Sequence, residues 1–283
     1  MEVKKYKSFF QNELSPFFDV MEIDQFFYLT LEKRHQLKRL DLALNPNFEI
    51  TVEEEQYWDS VLSQLKMQKP IQYILGETSF YGLTFQVNEH TLIPRPETEE
   101  LVQWILETYP TNSQISLLDI GTGTGCIPIT LKKKLPKVTV FALDVSEKAL
   151  EVATKNASMN QVDVTFLQND ILATTMLEQQ FDVIVSNPPY VRELEKKEIN
   201  TNVLKFEPHL ALFVADNDAL LFYRKIAQLA QEYLQPNGQL FFEINQYLGT
   251  EMIALIASYG FTEIELRQDV YGNDRMLRAV KSF

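Results

Sequence analysis

The sequence predicts an α/β fold in which a mostly parallel sheet ends in an antiparallel hairpin, preceded by a small helical bundle. Strands alternate with helices from about residue 97 to about residue 260, which is typical of parallel strands with helices on both faces. The last two strands are joined by a short turn that only an antiparallel pair allows. The first 75 residues or so carry helix signals and almost no strand signals.

The 283 residues are 45% hydrophobic and 23% charged, so the chain can bury one large core or two smaller ones and disorder is excluded as its main state. No apolar run approaches the ~20 residues that span a bilayer. The first residues are not followed by the long apolar stretch and small-residue cleavage site of a signal peptide. We therefore expect a cytoplasmic protein without a membrane partner.

The cysteine and histidine content argues against a metal site, because a single cysteine, Cys126, and three scattered histidines offer no zinc-binding spacing. The net charge of −13, from 26 Lys and Arg against 39 Asp and Glu, disfavours a protein that binds long nucleic acids, since such proteins neutralise phosphates with a basic face. We expect no metal and no direct nucleic-acid partner.

Helix signals define a first domain over residues 1–76. Ser15-Pro16 suits an N-cap followed by proline at the first helical position, and Thr51–Glu54 has the pattern of a capping box. Lys69-Pro70 ends the last predicted helix of this domain. A small helical bundle is the expected arrangement.

Aromatic and apolar residues around Tyr81-Gly82 predict a β-hairpin, and we assign residues 77–95 as a linker before a second domain at 96–283. A helix follows Pro96, and further helices are predicted near 126–134, 146–159, 218–234 and 248–258. The predicted strands are Ile115–Ile120, Val138–Asp144, Val162–Gln168, Phe181–Ser186, Gln239–Asn245, Phe261–Gln268 and Met276–Lys281.

Three of the nine glycines lie in Gly121-Thr122-Gly123-Thr124-Gly125, between a predicted strand and a predicted helix. Glycine allows tight turns and close approach to a ligand, and a helix N-terminus adds free N–H donors. A dinucleotide-binding fingerprint would need glycine at position 126, where Cys126 stands. The spacing, with Asp119 before it, is more typical of an S-adenosylmethionine loop. A structural turn is the alternative.

Two aspartates end the next two predicted strands. Asp144 is placed to accept hydrogen bonds from both hydroxyls of a ribose across the cleft from the glycine loop, although it also lies beside the N-cap Ser146. Asp170 is a candidate acceptor for an adenine amino group, with Ile171 as its apolar cover. A helix cap explains Asp170 equally well.

The most specific motif is Ser186-Asn187-Pro188-Pro189-Tyr190, at the end of the fourth strand. Its two prolines lack N–H donors and leave carbonyl oxygens free to accept. A planar NH2 group needs two acceptors, which the Asn187 side chain and the Pro188 backbone supply, and one unpaired buried donor would cost about 1–3 kcal/mol. Tyr190 is placed to stack on the flat group. The structural alternative is a stiff turn.

Together, the glycine loop, Asp144 and Asn187–Tyr190 resemble a class I S-adenosylmethionine-dependent methyltransferase that acts on planar nitrogens. From about residue 70 onward, the chain also resembles the peptide chain release factor glutamine N5-methyltransferases, the HemK/PrmC family. The further segments that carry this resemblance are Pro70–Gly76, Ile93–Glu99, Phe206–Pro208, Asp269 and Gly272–Arg275.

The resemblance implies a Rossmann-like, seven-stranded sheet and methylation of the glutamine in the GGQ motif of release factors, with S-adenosylhomocysteine as product. Gly121–Gly125 would hold the methionine part of the cofactor and Asp144 its ribose, while Asp170 and Ile171 are candidates for its adenine from the residues alone. Asn187, Pro188 and Tyr190 would be catalytic, and together with Pro189 would hold the glutamine, with Asn187 also beside the cofactor. The helical domain would recognise the release factor, and we expect a monomer.

Two other functions are weighed against this one. One is an adenine-N6 DNA methyltransferase, because the exocyclic amine of adenine would present the same two N–H donors to Asn187–Tyr190. The acidic chain, however, lacks an evident basic domain for recognising DNA. A noncatalytic cofactor-binding or scaffold protein would not need both the glycine loop and Asn187–Tyr190. No histidine adjoins the motif as a candidate base, and His209 is assigned a structural role.

Overall fold

The computed structural model describes residues 1–282, which divide into two compact units. The first unit comprises Met1–Gly76 and Thr201–Phe206, and the second comprises Glu77–Asn200 and the described chain from Glu207 onward. No helix within residues 1–282 is both long enough and apolar enough to cross a membrane.

The helices and strands are numbered along the chain. The helices are α1 (Val3–Leu14), α2 (Val20–His35), α3 (Arg39–Leu44), α4 (Val52–Lys66), α5 (Ile71–Leu75), α6 (Pro96–Thr108), α7 (Cys126–Lys134), α8 (Glu147–Met159), α9 (Thr201–Phe206), α10 (Leu221–Tyr233) and α11 (Gly249–Ser258). The strands are β1 (Glu77–Phe80), β2 (Leu83–Gln86), β3 (Ser116–Ile120), β4 (Thr139–Asp144), β5 (Thr165–Gln168), β6 (Phe181–Ser186), β7 (Val191–Arg192), β8 (Phe213–Val214), β9 (Leu234–Glu243), β10 (Phe261–Gln268) and β11 (Asp274–Lys281).

The first unit is helical, as predicted, and one of its two predicted helix starts is confirmed. Thr51 and Glu54 cap α4 reciprocally, with each side chain accepting from the other residue's backbone N–H. The predicted N-cap at Ser15 is wrong, because Ser15 follows the end of α1. Asp19 caps α2 instead, since its carboxylate accepts from two first-turn N–H groups and its charge suits the helix N-terminus.

Aromatic side chains form the centre of the first unit. Trp58 is fully buried and lies within 4.9–6.0 Å, between ring centroids, of Tyr6, Phe10 and Phe27. These rings bring α1, α2 and α4 together. The capping box of α4 therefore fixes the start of the helix that supplies the central side chain of this core.

The second unit contains the predicted seven-stranded sheet, in the order β10-β11-β9-β6-β3-β4-β5. β9, β6, β3, β4 and β5 run parallel, and β11 is antiparallel to both β9 and β10. The predicted fold class is confirmed. β9 begins at Leu234 rather than at the predicted Gln239, because Leu234 pairs with Phe181 before the register shifts.

The hairpin of β1 and β2 turns at Tyr81 and Gly82, both in the left-handed region with φ of 50° and 75°. Its buried Phe80 and Phe85 join the same apolar core as Trp104 of α6. The hairpin therefore packs into the core of the second unit.

The stretch between β6 and α10 has no predicted strand or helix, but it contains short elements of regular structure. Between β6 and α10 the chain forms the short parallel pair of β7 and β8 together with α9 and three short 3-10 helices. These elements follow β6 in the chain, and α9 belongs to the first unit. In a parallel sheet the carboxyl end of a strand such as β6 lies at the edge at which ligands bind, and the carboxyl ends of β3 and β4 lie at the same edge.

Candidate active site

The loop between β3 and α7 depends on glycine for its conformation. Gly121, Gly123 and Gly125 have φ of 77°, 54° and 79°. The N–H groups of Gly121 and Thr122 both donate to the carbonyl oxygen of Leu143, at 2.9 and 3.0 Å. A Cβ atom added at Gly121 or Gly123 would meet no described atom within 4 Å. Open space therefore lies beside the loop.

Gly125 differs from the other two glycines because its surroundings are closed. A Cβ atom there would lie 2.8 Å from Ile129 Cδ1 and 3.2 Å from Ala153 Cβ. We expect Gly125→Ala to lower the free energy of unfolding by about 2–4 kcal/mol, from left-handed strain plus overlap. Gly272→Ala is the control, since Gly272 has φ of 84° but no described neighbour within 4 Å of an added Cβ. Urea unfolding measures both variants, and equal losses would contradict the overlap.

Asp144 ties the end of β4 to the glycine loop. Its Oδ2 accepts from the Gly123 N–H at 2.8 Å, and its Oδ1 accepts from the Ser146 N–H at 2.9 Å. Burial raises the pKa of Asp144, and these backbone bonds act in the opposite direction. Each carboxylate oxygen keeps a further lone pair. Asp144 is therefore fixed in place and still able to accept hydrogen bonds from a ligand.

A cavity of about 330 Å³ lies at this edge of the sheet, within the size range of small-molecule sites. Eight of the twelve predicted site residues line it: Gly121, Gly123, Asp144, Asp170, Ile171, Asn187, Pro188 and Pro189. The predicted cofactor loop and the Asn-Pro-Pro motif thus line the same cavity. Asp170 also caps a local turn, since its Oδ1 accepts from the Leu172 N–H at 2.9 Å.

The other four predicted site residues, Thr122, Thr124, Gly125 and Tyr190, lie outside the cavity lining of the described chain. Thr122 and Thr124 are buried. Tyr190 packs against the apolar core, and its hydroxyl donates to Glu243 Oε1 at 2.9 Å. Its stacking on a substrate stays a prediction.

Two polar residues that were not predicted, Thr98 and Glu243, are connected to Asn187 by hydrogen bonds. The Asn187 amide Nδ2 donates to Thr98 Oγ1 at 3.3 Å, and the Thr98 hydroxyl donates to Glu243 Oε2 at 2.6 Å. Burial raises the pKa of Glu243, while the bonds from Thr98 and Tyr190 oppose that shift. A charged residue directly after the apolar run Leu240–Phe242 was the available signal for Glu243.

Arg95 has a structural partner close to the cavity. Its Nη2 lies 2.6 Å from Oε1 of the buried Glu207, whose Oε2 accepts from the Ile93 N–H at 3.2 Å. The next residue, Pro208, lines the cavity. The Arg95–Glu207 pair therefore holds together two segments that the sequence analysis singled out.

Asp119, the acidic residue before the glycine loop, is fully buried, and neither of its carboxylate oxygens has a hydrogen-bond partner in the part of the chain that the structure describes. Burial raises its pKa to about 7, and the negative charge of Asp144 acts in the same direction. Folding therefore favours the protonated form of Asp119.

This shift predicts how stability depends on pH. In the unfolded chain an aspartate has a pKa of about 3.9, so folded Asp119 binds more protons than unfolded Asp119 between about pH 4 and pH 7. Its contribution to stability is complete below pH 4 and is lost as the pH rises through 7. We expect Asp119→Asn to lack this loss. Urea unfolding from pH 5 to 8 tests it, and parallel pH profiles of variant and wild type would contradict it.

The charge of the cavity indicates the kind of ligand that it suits. Its lining includes the acidic residues Glu89, Asp144 and Asp170, and no lysine or arginine among the described residues contributes to it. A ligand that carries phosphates would face repulsion here, whereas a cationic sulfonium would be attracted. Ile171 and the prolines supply apolar walls. The residues present therefore fit S-adenosylmethionine. Within residues 1–282, no group of three or more His, Cys, Asp or Glu side chains is placed to hold a metal ion.

Comparison with known proteins gives the family. A release factor glutamine methyltransferase from Flavobacterium psychrophilum is 59% identical over 98% of this chain and 99% of its own length. This chain belongs to the release factor glutamine methyltransferase family. A member from Streptococcus pneumoniae is 39% identical over 98% of both chains.

Family models place the two parts of this methyltransferase. Residues 25–76 match the model for the PrmC N-terminal domain, and residues 98–209 match the methyltransferase small domain. The fold also resembles the crystal structure of a methyltransferase from Pyrococcus furiosus, with a TM-score of 0.54 and 20% identity over 72% of this chain and 92% of that one. The expected class I methyltransferase fold is thereby confirmed.

Proposed function

We propose that this methyltransferase transfers the methyl group of S-adenosylmethionine to the side-chain amide nitrogen, N5, of the glutamine in the GGQ motif of peptide chain release factors. One observation carries this proposal. The glycine loop with Asp144 and the Asn187–Pro189 motif line the same cavity, so a methyl donor and an amide acceptor can be held side by side. The names of the relatives support the choice of glutamine.

The cofactor half of the cavity is assigned by the polar groups present. Gly121 and Gly123 border open space, which we assign to the methionine part. Asp144, which accepts from the Gly123 N–H, is assigned to the ribose hydroxyls. Asp170 and Ile171 face the same cavity and are assigned to the adenine. S-adenosylmethionine supplies an electrophilic methyl group on a positively charged sulfur.

The substrate half explains how a weak nucleophile is prepared. The nitrogen lone pair of an amide is delocalised into its carbonyl, so the nitrogen attacks poorly. Asn187 Oδ1 and the Pro188 carbonyl oxygen are two acceptors for the two N–H groups of the glutamine. Holding both N–H groups fixes the nitrogen toward the methyl donor and polarises the N–H bonds, which makes the nitrogen more electron-rich.

The helical N-terminal domain, residues 1–76, is assigned to recognition of the release factor. A glutamine on an exposed loop reaches an enclosed site more readily when a further domain binds the rest of the substrate. The match of the helical domain to the PrmC N-terminal domain model supports this role. We further propose that the enzyme acts as a monomer in the cytoplasm. The net charge of −13 supports the absence of a direct nucleic-acid partner.

Mass spectrometry of three candidate substrates tests the proposed reaction. A release factor, double-stranded DNA and free glutamine are each incubated with the enzyme and S-adenosylmethionine. We expect one added methyl group on the release factor, located on the glutamine of its GGQ loop, and none on DNA. Methylation of adenine without methylation of the factor would instead support an adenine-N6 DNA methyltransferase, the function that the family relationship does not favour.

A further inference from the structure

The amide of Asn187 is connected to the buried carboxylate of Glu243 by two successive hydrogen bonds, with the Thr98 hydroxyl between them. Asn187 Nδ2 donates to Thr98 Oγ1 at 3.3 Å, and Thr98 Oγ1 donates to Glu243 Oε2 at 2.6 Å. Thr98 is 3% exposed and Glu243 is 1% exposed. Neither residue lines the cavity in the described chain, so both can act on a substrate only through another residue.

The direction of these bonds follows from the chemistry of the groups. A threonine hydroxyl has one hydrogen, and Thr98 donates it to Glu243 Oε2, while Glu243 Oε1 accepts from the Tyr190 hydroxyl. The hydrogen of Thr98 is therefore used by Glu243, and the Thr98 oxygen can only accept from Asn187. The NH2 end of the Asn187 amide must face Thr98, which leaves Oδ1 as the end that is free for a ligand.

The same carboxylate also holds the other end of the motif. Glu243 Oε1 accepts from the Tyr190 hydroxyl at 2.9 Å, and Asn245 Nδ2 donates to the Tyr190 carbonyl oxygen at 3.0 Å. Glu243 thus holds Tyr190 directly and Asn187 through Thr98, and these two residues lie on either side of the two prolines. This rigidity favours one arrangement of the acceptors over others.

We propose that Thr98 and Glu243 are positioning residues that set the orientation of the Asn187 amide, so that Oδ1 and not Nδ2 is presented to the substrate. The inference rests on the proposed function, in which the substrate offers an NH2 group. The two ends of an asparagine amide are nearly equal in size, so shape alone does not choose between them. A flipped amide would place donors against donors and remove one of the two acceptors.

Isosteric substitution at Thr98 tests the proposal. Thr98→Val removes the hydroxyl, and Thr98→Ser restores it. Thr130→Val is the matched control, because Thr130 is fully buried and its hydroxyl has no hydrogen-bond partner in the described structure. We expect Thr98→Val to lower kcat on a release factor about 10- to 100-fold, while Thr98→Ser and Thr130→Val stay close to wild type.

Two further readouts separate orientation from general damage. Calorimetry should give the Thr98→Val protein the same Kd for S-adenosylmethionine as the Thr130→Val control. Thr98→Val should melt at a lower temperature than the control, because Glu243 and Asn187 each lose a hydrogen-bond partner, so both variants are assayed at a temperature at which they are folded. In an Asn187→Ala background, Thr98→Val should cause no additional loss of kcat, because a residue that acts through Asn187 has no effect once that side chain is gone.

A Thr98→Val effect that persists in the Asn187→Ala background would overturn the proposal, as would an unchanged kcat in Thr98→Val alone. Thr98→Ala enters the same comparisons if the valine variant does not fold. The wild-type arm separates a failure of the proposed function from a failure of the positioning role of Thr98 and Glu243. Without methyl transfer by wild type to the release factor, the proposed function itself fails, and the orientation of Asn187 fails with it.

Discussion

Asn187→Ala is expected to lower kcat for methylation of a release factor about 100-fold or more, the scale seen when one preorganised polar contact to a reacting group is removed. Its Kd for S-adenosylmethionine should stay within about threefold of wild type. The reason is that Asn187 Oδ1 is assigned to the substrate NH2 group, whereas the glycine loop and Asp144 carry the polar contacts assigned to the cofactor.

Asn160→Ala is a suitable control, because Asn160 is also partly buried and its Nδ2 donates to two backbone carbonyl oxygens, of Thr84 and Asn156, away from the cavity. Single-turnover kinetics and calorimetry measure the two quantities separately. Equal losses of kcat and cofactor affinity in Asn187→Ala would assign Asn187 to the cofactor instead.

Asp144→Ala is expected to have the opposite effect, with cofactor affinity lost and the chemical step largely kept at saturating cofactor. Two hydrogen bonds from ribose hydroxyls to a carboxylate are worth about 1.5–3 kcal/mol each, so the Kd for S-adenosylmethionine should rise about 100-fold or more. The loss of the Gly123 N–H acceptor adds to this by loosening the glycine loop.

Asp182→Ala controls for the loss of backbone hydrogen bonds alone. Asp182 Oδ2 accepts from the Ser116 N–H at 2.7 Å and from the Ser116 hydroxyl at 3.0 Å, and these residues lie near the amino ends of β6 and β3. Asp182→Ala should therefore cost stability without changing cofactor affinity. If both aspartate variants weaken cofactor binding alike, Asp144 has no specific role at the ribose.

Much of the fold could be predicted because local sequence patterns determine many of its strands and helices. The strands β6 and β10 and the helix α7 have the predicted bounds, since alternating hydrophobicity and flanking turn residues define them without reference to distant contacts. Ser15 shows the limit of this approach. Its position before a proline suits an N-cap, but Asp19 caps the helix through its carboxylate.

The residues of the candidate site likewise include some that local sequence patterns identify and others that depend on distant contacts. Gly121, Asp144 and Asn187 could be found because each lies at the carboxyl end of a parallel strand or directly after it, and the carboxyl ends of such strands meet at one edge. Thr98 and Glu243 could not be found this way, since their role depends on a contact between residues that are 145 positions apart. Tyr190 belongs to a recognisable motif, but its bond to Glu243 depends on the packing of β9.

We propose that Asn187 and Pro188 together hold the amide of the substrate glutamine. A crystal structure of the enzyme with S-adenosylhomocysteine and a release factor tests it directly. We expect the amide nitrogen of the GGQ glutamine to lie about 2.7–3.2 Å from both Asn187 Oδ1 and the Pro188 carbonyl oxygen, with the sulfur on its other side. A glutamine amide held by other groups, or an Asn187 amide with Nδ2 toward the substrate, would contradict it.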